Sequence, residues 1–316
     1  MIERPGEVAL REVDAPLCGP GDVVVRSRAA GVCRTDLEVL HGELDRRFVH
    51  YPCIPGHEWS GEVAELGDGV SGLAAGDVVV CEGIIPCGRC RRCLAGATNL
   101  CENYDQLGFT RPGGYAELVR VPARVVHRLP EHVSFETGVL VEPASVVLRA
   151  LERGRLASGE AVGVVGVGTI GALSIVLARM LDPARIIAYG IRPEELELAR
   201  LLGADETVDV SIESEAGELD VVFETAGSVA AVELATRLVS DGGRVVMLGI
   251  APEGQTLASI PANRFSLRDL ELIGSFSYTS AAWTRRLPAR RPAHRPGASP
   301  SSRRSRTPCR VPTATA

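Results

Sequence analysis

Ala161-Val-Gly-Val-Val-Gly166-Val-Gly168-Thr169-Ile170-Gly171 is the stretch on which the reading of this 316-residue chain turns. Ala161 to Val165 is a short β-prone run, and Ile170 to Leu181 carries apolar residues at helical spacing. Between them lies Gly-x-Gly-x-x-Gly. Glycine-rich turns are common, but this one follows a strand and opens a helix, which makes it a phosphate cradle. Gly166, Gly168 and Gly171 let the backbone approach a pyrophosphate, and Thr169 and Ile170 begin the helix whose free N–H groups favour negative charge. Strand and helix continue to alternate outward from this point. Strands are expected at Ile186 to Tyr189, Asp220 to Phe223 and Arg244 to Leu248, with helices at Pro193 to Leu202 and Val229 to Val239. Such alternation predicts a parallel sheet covered on both faces, the doubly wound α/β class.

The next strand end tunes the cofactor. An NAD site places an acid there, on the ribose 2′-hydroxyl, whereas this chain has Gly190 followed by Arg192. Without the carboxylate nothing repels a 2′-phosphate, and Arg192 can pair with one, so NADP is favoured over NAD. Read plainly, Arg192 is a solvated loop charge ahead of Pro193.

Upstream, from Glu7 to about Val126, the pattern differs. Short apolar runs at Val23 to Val25, Asp77 to Val80 and Ala116 to Val121 are punctuated by Gly and Pro, as in an irregular β domain. A further helical stretch, Val139 to Leu151, leads into the nucleotide-binding region. With 45% apolar residues the chain can bury two cores, and its net charge of −6 argues against a protein built as a whole to hold nucleic acid. No run of about 18 apolar residues and no apolar N-terminal core occurs, which sets a membrane aside and predicts a cytoplasmic protein. Nine cysteines in such a chain point to metal or catalysis before disulfides.

Two cysteine-bearing constellations stand out. Cys87, Cys90 and Cys93 at x-x spacing, followed by Cys101, can close a tetrahedral shell around one Zn²⁺ with no open position, a structural site. The flanking Arg89, Arg91 and Arg92 offset thiolate charge more simply than they recruit nucleic acid. The second set is scattered: Cys33, His57 in Gly56-His-Glu58-Trp-Ser-Gly61, and Glu142 before Pro143. One thiolate, one imidazole and one carboxylate leave a fourth position free, as a catalytic zinc requires. Taken singly, Cys33 reads as a small buried hydrophobe, His57 as a core histidine and Glu142 as a helix-start carboxylate. Their company favours metal.

Gly56, His57, Glu58, Gly61, Gly67 and Val70 resemble the zinc signature of the medium-chain dehydrogenase/reductase superfamily. The resemblance continues through Gly76-Asp77, the four-cysteine lobe, Gly113-Gly114-Tyr-Ala-Glu117 and Glu142-Pro143, and covers roughly residues 6 to 283. It implies a GroES-like catalytic domain over 1–148 with a structural-zinc lobe at 84–104, and a C-terminally incomplete Rossmann domain over 149–283. It also implies two zinc ions per chain and hydride transfer between a CH–OH group and NAD(P). The Glu-Pro pair is similar to the sorbitol, threonine and sugar dehydrogenase branches, so a small polyhydroxylated substrate (a secondary alcohol, polyol, sugar or cyclitol) is expected. In those branches the equivalent of Glu58 lies beside the metal and can exchange with water as a ligand. By the same resemblance Thr35 takes the proton of the alcohol, Asp36 orients the His57 ring, and Arg34 contacts the pyrophosphate. The next member of the proton relay falls on Glu38, with His41 as a substitute. Relatives form homo-oligomers through late strands of the nucleotide domain, a state doubtful for a chain altered there.

The pattern breaks at Thr284. From there to Ala316 the chain holds nine Arg, six Pro and no acidic residue, a composition that cannot make a core and is expected to be disordered. No lysine occurs anywhere, as expected of GC-rich coding DNA, in which a shifted frame yields mainly Arg, Pro, Ala, Ser, Gly and Thr. The hypothesis that follows is a frameshift near Thr284, with an inactive zinc-stabilised relic as one outcome. A genuine basic arm that binds anions or nucleic acid is the other reading of the tail. Translating the gene in its two other frames should recover a family-like helix and strand after codon 284; their absence there would sink the frameshift.

Overall fold

The computed structural model describes residues 1–212, 218–252, 254–258 and 260–284. The tail expected to be disordered therefore lies, from 285 on, outside the described residues. Two sheets organise the rest. A five-stranded antiparallel sheet runs in the order Leu118–Pro122, Asp22–Ala30, Trp59–Leu66, Val78–Cys81, Val126–Arg128. Val23, Val25, Trp59, Val63, Val79, Leu107, Val119 and Val121 form its core. Alternation explains the placement: Val23 and Val25 point inward, and each such side chain gains roughly 1.5–3 kcal/mol on leaving water.

The second sheet is parallel and six-stranded, in the order Glu206–Asp209, Arg185–Gly190, Ala161–Val165, Leu219–Glu224, Val239–Met247, Glu271–Gly274. In chain order this is 3-2-1-4-5-6, with the switch point between Ala161–Val165 and Leu219–Glu224. Separate apolar clusters cover its two faces, one centred on Val162, Val164, Ile186 and Phe223, the other on Leu219, Val222, Leu238 and Val245. All six strands are in place by Gly274, ahead of the change in sequence character.

The expected elements recur with shifted edges. The helical stretch from Val139 is divided at Leu140 into Phe135–Val139, capped by Ser134, and Val141–Arg153. The helix after the glycine turn is Thr169–Arg179, Pro193–Leu202 stands as read, and Val229–Leu238 passes directly into the strand Val239–Met247. Glu206–Asp209 and Glu271–Gly274 had no period-2 signal, because sheet-edge strands of four residues are too short to show one. The domain edge expected between 148 and 149 falls inside the helix Val141–Arg153. Val147, Ala150 and Leu151 of that helix pack in the core of the nucleotide domain, while Glu142 at its start is buried near His57 and Glu58.

The glycine turn is built as its sequence suggests. Gly166 adopts φ +88°, and a Cβ on Gly171 would lie 2.0 Å from the Gly166 carbonyl oxygen, so helix and strand touch there through bare backbone. A Cβ on Gly168 would meet nothing within 4 Å. Gly171→Ala should therefore lower stability by about 1–3 kcal/mol in a thermal melt. Gly168→Ala should cost less than about 1 kcal/mol; equal losses would mean that the close approach at Gly171 is not what shapes the turn.

Candidate active site

Cys33 caps the helix Arg34–His41, with extended backbone (φ −91°, ψ 153°). Its own N–H donates to Asp36 Oδ2 at 2.9 Å, which fixes the first turn and places the thiol beside the helix N-terminus. Asp36 Oδ1 faces His57 Nδ1 at 3.4 Å, both side chains buried, so Nε2 is the ring nitrogen left for a metal. His57 also lies against the Phe109 ring, with centroids 5.1 Å apart.

The donor atoms of Cys33, His57 and Glu58 lie within 4.8 Å of one another. Glu142, the carboxylate expected as the third ligand, is outside that trio but close enough to act on His57 electrostatically. Burial pushes its carboxyl up to about 7, against the opposing pull of His57. Burial likewise raises Glu58, and Gly31 makes room for it, since a Cβ there would sit 2.8 Å from Glu58 Oε2. The His57 ring is driven well above its ordinary value: burial opposes the charge, but Asp36, Cys33 and Glu142 outweigh it. An imidazole drawn toward the cationic state among buried acids, with Asp36 Oδ1 and His57 Nδ1 lacking a full hydrogen bond, is a donor set that fits a divalent cation.

The other residues of the site have definite places. Thr35 Oγ1 is 3.7 Å from Cys33 Sγ. Glu38 and Arg34, expected in different roles, pair with each other at 3.3 Å, with Arg34 exposed and Glu38 mostly covered. His41 is exposed and faces Glu43 at 3.6 Å. Two tyrosines escaped the sequence reading. The Tyr115 hydroxyl lies 2.7 Å from the Gly31 carbonyl and 3.0 Å from Asp36 Oδ2; its only signal was a place in the Gly113-Gly114-Tyr match. The fully buried Tyr278, whose hydroxyl accepts the Gly83 N–H at 2.7 Å and the Ile84 N–H at 3.2 Å, carried no signal.

Cys87, Cys90, Cys93 and Cys101 bring their sulfurs within 4.8 Å of one another, all as free thiols. Cys87 and Cys93 are 4.0 Å apart, close to the roughly 3.8 Å edge of a tetrahedron with 2.3 Å Zn–S bonds. Backbone N–H groups of Cys87, Cys90 and Cys93 point at neighbouring sulfurs at 3.3–3.4 Å, and those of Arg89 and Cys90 bring Cys87 down to about 6. Four sulfurs held this way fit zinc with no side for substrate.

In the nucleotide domain, Gly168 caps the helix Thr169–Arg179, and Gly168 and Thr169 are exposed at its N-terminus. Ile170 turns inward against the core of the domain. Gly190 is buried at the end of its strand, where a Cβ would come within 3.0 Å of Leu196. Arg192 is exposed at the start of the next helix and pairs with Glu195, with Glu194 4.0 Å away. Exposed pairs of this kind are worth about 0–1 kcal/mol.

Known proteins resemble this chain in sequence and fold. Residues 19–131 match the alcohol dehydrogenase GroES-like domain family and residues 169–289 the zinc-binding dehydrogenase family. L-threonine 3-dehydrogenase of Rhizobium etli (strain CIAT 652) is 34% identical over 267 residues, 80% of this chain and 77% of the relative. A protein of Sinorhizobium meliloti 1021 described as a zinc-binding dehydrogenase, solved bound to NADP, superposes with a TM-score of 0.85 at 34% identity, covering 90% of this chain and 86% of its own. Galactitol-1-phosphate dehydrogenase from Escherichia coli gives a TM-score of 0.82 at 30% identity, over 89% and 85% of the two chains. With the GroES-like sheet, the six-stranded nucleotide domain and both cysteine constellations in place, the chain belongs to the zinc-binding dehydrogenases of the medium-chain superfamily.

Proposed function

We propose that the chain transfers hydride between the CH–OH group of a small polyhydroxylated substrate and NADP, with a catalytic zinc on Cys33, His57 and Glu142 and a structural zinc on Cys87, Cys90, Cys93 and Cys101. The observation that carries the reading is the convergence of Cys33, His57 and Glu58 within 4.8 Å, with a buried Glu142 close by. The names of the relatives supply the substrate class: threonine and galactitol-1-phosphate both carry the CH–OH group that such enzymes oxidise.

Zinc in the open site supplies Lewis acidity that brings the alcohol hydroxyl within reach of deprotonation near neutral pH. The protein does the rest. Asp36 holds His57 by Nδ1 and so fixes the ring orientation, and Tyr115 in turn steadies Asp36. The Thr35 hydroxyl, beside Cys33, accepts the proton of the substrate and passes it outward. Glu38, one turn along the same helix and paired with Arg34, is the acceptor next in line. Glu58 stands ready as an alternate carboxylate for the metal. Gly166, Gly168 and Gly171, with the first turn at Thr169 and Ile170, cradle the pyrophosphate, Arg34 is its cationic partner, and Arg192 beside Gly190 recognises the 2′-phosphate. Among the described residues no helix is long and apolar enough to cross a membrane.

Elemental analysis of the purified chain should find two zinc ions, falling to one in Cys33→Ser, with turnover of a polyol panel lost. A single zinc unchanged by Cys33→Ser would leave only the four-cysteine site and overturn the enzymatic reading. Arg192→Ala should lower kcat/KM for NADP about 10-fold to 100-fold, the worth of one charged hydrogen bond, and leave NAD unaffected. Equal loss with both cofactors would remove Arg192 from 2′-phosphate recognition.

A further inference from the structure

Away from the metal ligands and the dinucleotide cradle, a cavity of about 460 Å³ opens between the four-cysteine lobe and the edge strand Leu118–Pro122 of the antiparallel sheet. Guanidinium groups converge on it from separate stretches of chain: Arg89 from the lobe, Arg111 from the loop after it, Arg120 from the edge strand and Arg124 from the turn that follows. Among the described residues that line it, the only acids are Asp22 and Asp105.

The two aspartates orient the site without neutralising it. Arg120 Nε lies 3.2 Å from Asp22 Oδ2, and Arg111 Nε donates to Asp105 Oδ2 at 2.6 Å. Asp105 is fixed in turn by the Thr110 hydroxyl, which donates to its Oδ1 at 2.7 Å. A guanidinium carries five N–H donors, so one held at Nε keeps outer Nη donors for a further acceptor. Arg124 donates Nη2 to the Pro86 carbonyl at 3.1 Å, a neutral partner that leaves its charge unmatched. Among the described residues the ion pairs of this cavity run to Arg111 and Arg120 alone, so Arg89 is unmatched as well. Cys87 also lines the cavity, but its sulfur takes its bonds from the Cys90 N–H and Asn103 Nδ2, both at 3.4 Å, and not from a guanidinium.

We infer that this cavity is an oxyanion site for the phosphate group of a small molecule, gripped by Arg89 and Arg124 with Arg111 and Arg120 as donors already set in place. Planar guanidinium forks match phosphate oxygens in pairs. The volume lies within the roughly 300–1,000 Å³ of small-molecule clefts. The site belongs to the catalytic domain and stands independently of the dehydrogenase reading. Its position links it to the rest of the molecule, because the same lobe holds the end of the nucleotide domain. Asn99 Nδ2 donates to the Phe276 carbonyl at 2.7 Å, and the Ser280 N–H donates to Thr98 Oγ1 at 2.8 Å. Beside them Ser280 Oγ donates to Glu82 at 2.7 Å, and the Trp283 ring stacks on His127. An anion shared by Arg89 and Arg124 ties this lobe to the antiparallel sheet.

The probe is pyrophosphate, titrated calorimetrically into the full chain in the Cys33→Ser background, with NADP in excess to fill the dinucleotide cradle. Salt is kept at about 0.15 M to screen loose attraction between exposed charges. One-site binding is expected, weakened about 10-fold to 100-fold by Arg124→Ala and lost in Arg89→Ala/Arg124→Ala, with the four-cysteine zinc retained. Arg34→Ala/Arg192→Ala should leave it unchanged. Tighter binding of pyrophosphate than of inorganic phosphate identifies a phosphorylated molecule as the occupant, and equal binding identifies free phosphate. No binding of either anion, or binding untouched by Arg89→Ala/Arg124→Ala, overturns the inference. Should that double variant lose its fold, Arg89→Gln/Arg124→Gln, which keeps the side-chain length and removes the charge, is held to the same outcomes.

Discussion

Buried negative charge around a single imidazole governs the catalytic half of the molecule. Asp36 and Glu142 are buried, Glu58 and the Cys33 sulfur are half-buried, and His57 is the cationic side chain set among them. Charges taken from water at this density repel one another unless protons or a cation intervene. Without metal, protons do so in part: Glu142 and Glu58 are raised by burial and the imidazole is drawn toward its charged form. A divalent ion bound there would replace those protons with a charge that stays at neutral pH. The surrounding framework, from the tight Gly31 to the Tyr115 bridge, makes sense as the means of keeping these donors together in spite of their repulsion.

The two domains share this centre. Cys33, His57 and Glu58 come from the GroES-like half, whereas Glu142 starts a helix whose later turns are embedded in the core of the nucleotide domain. Tyr278 arrives from the far edge of the parallel sheet. Glu142 is thus brought toward the trio by a helix anchored in the other domain.

Much of this could be read in the chain beforehand, for physical reasons that differ by feature. The glycine turn was legible because strand, turn and helix impose three different local requirements within eleven residues. The four-cysteine lobe was legible because short spacing by itself brings thiolates together. Glu206–Asp209 and Glu271–Gly274 were not, because four residues at a sheet edge carry too little periodicity. The two tyrosines were hidden for another reason: Tyr115 and Tyr278 act through contacts 79 and 195 residues away in sequence, and a lone tyrosine has no spacing rule to announce it. The pairing of Arg34 with Glu38 was available as an i,i+4 relation, but the resemblance had assigned both residues elsewhere.

The clasp formed by Glu82, His127, Ser280 and Trp283 has a mechanical meaning. The nucleotide domain is joined to the catalytic domain covalently where the helix Val141–Arg153 begins, and non-covalently where Ser280 and Trp283 settle on Glu82, just past the strand Val78–Cys81, and on His127 of the strand Val126–Arg128. Together with the hydrogen bonds of Asn99 to Phe276, Thr98 to Ser280 and Tyr278 to Gly83, this clasp makes the last described segment a second tie between the two halves, so that the edge of the parallel sheet is anchored to the catalytic domain at a place roughly 140 residues along the chain from the covalent link.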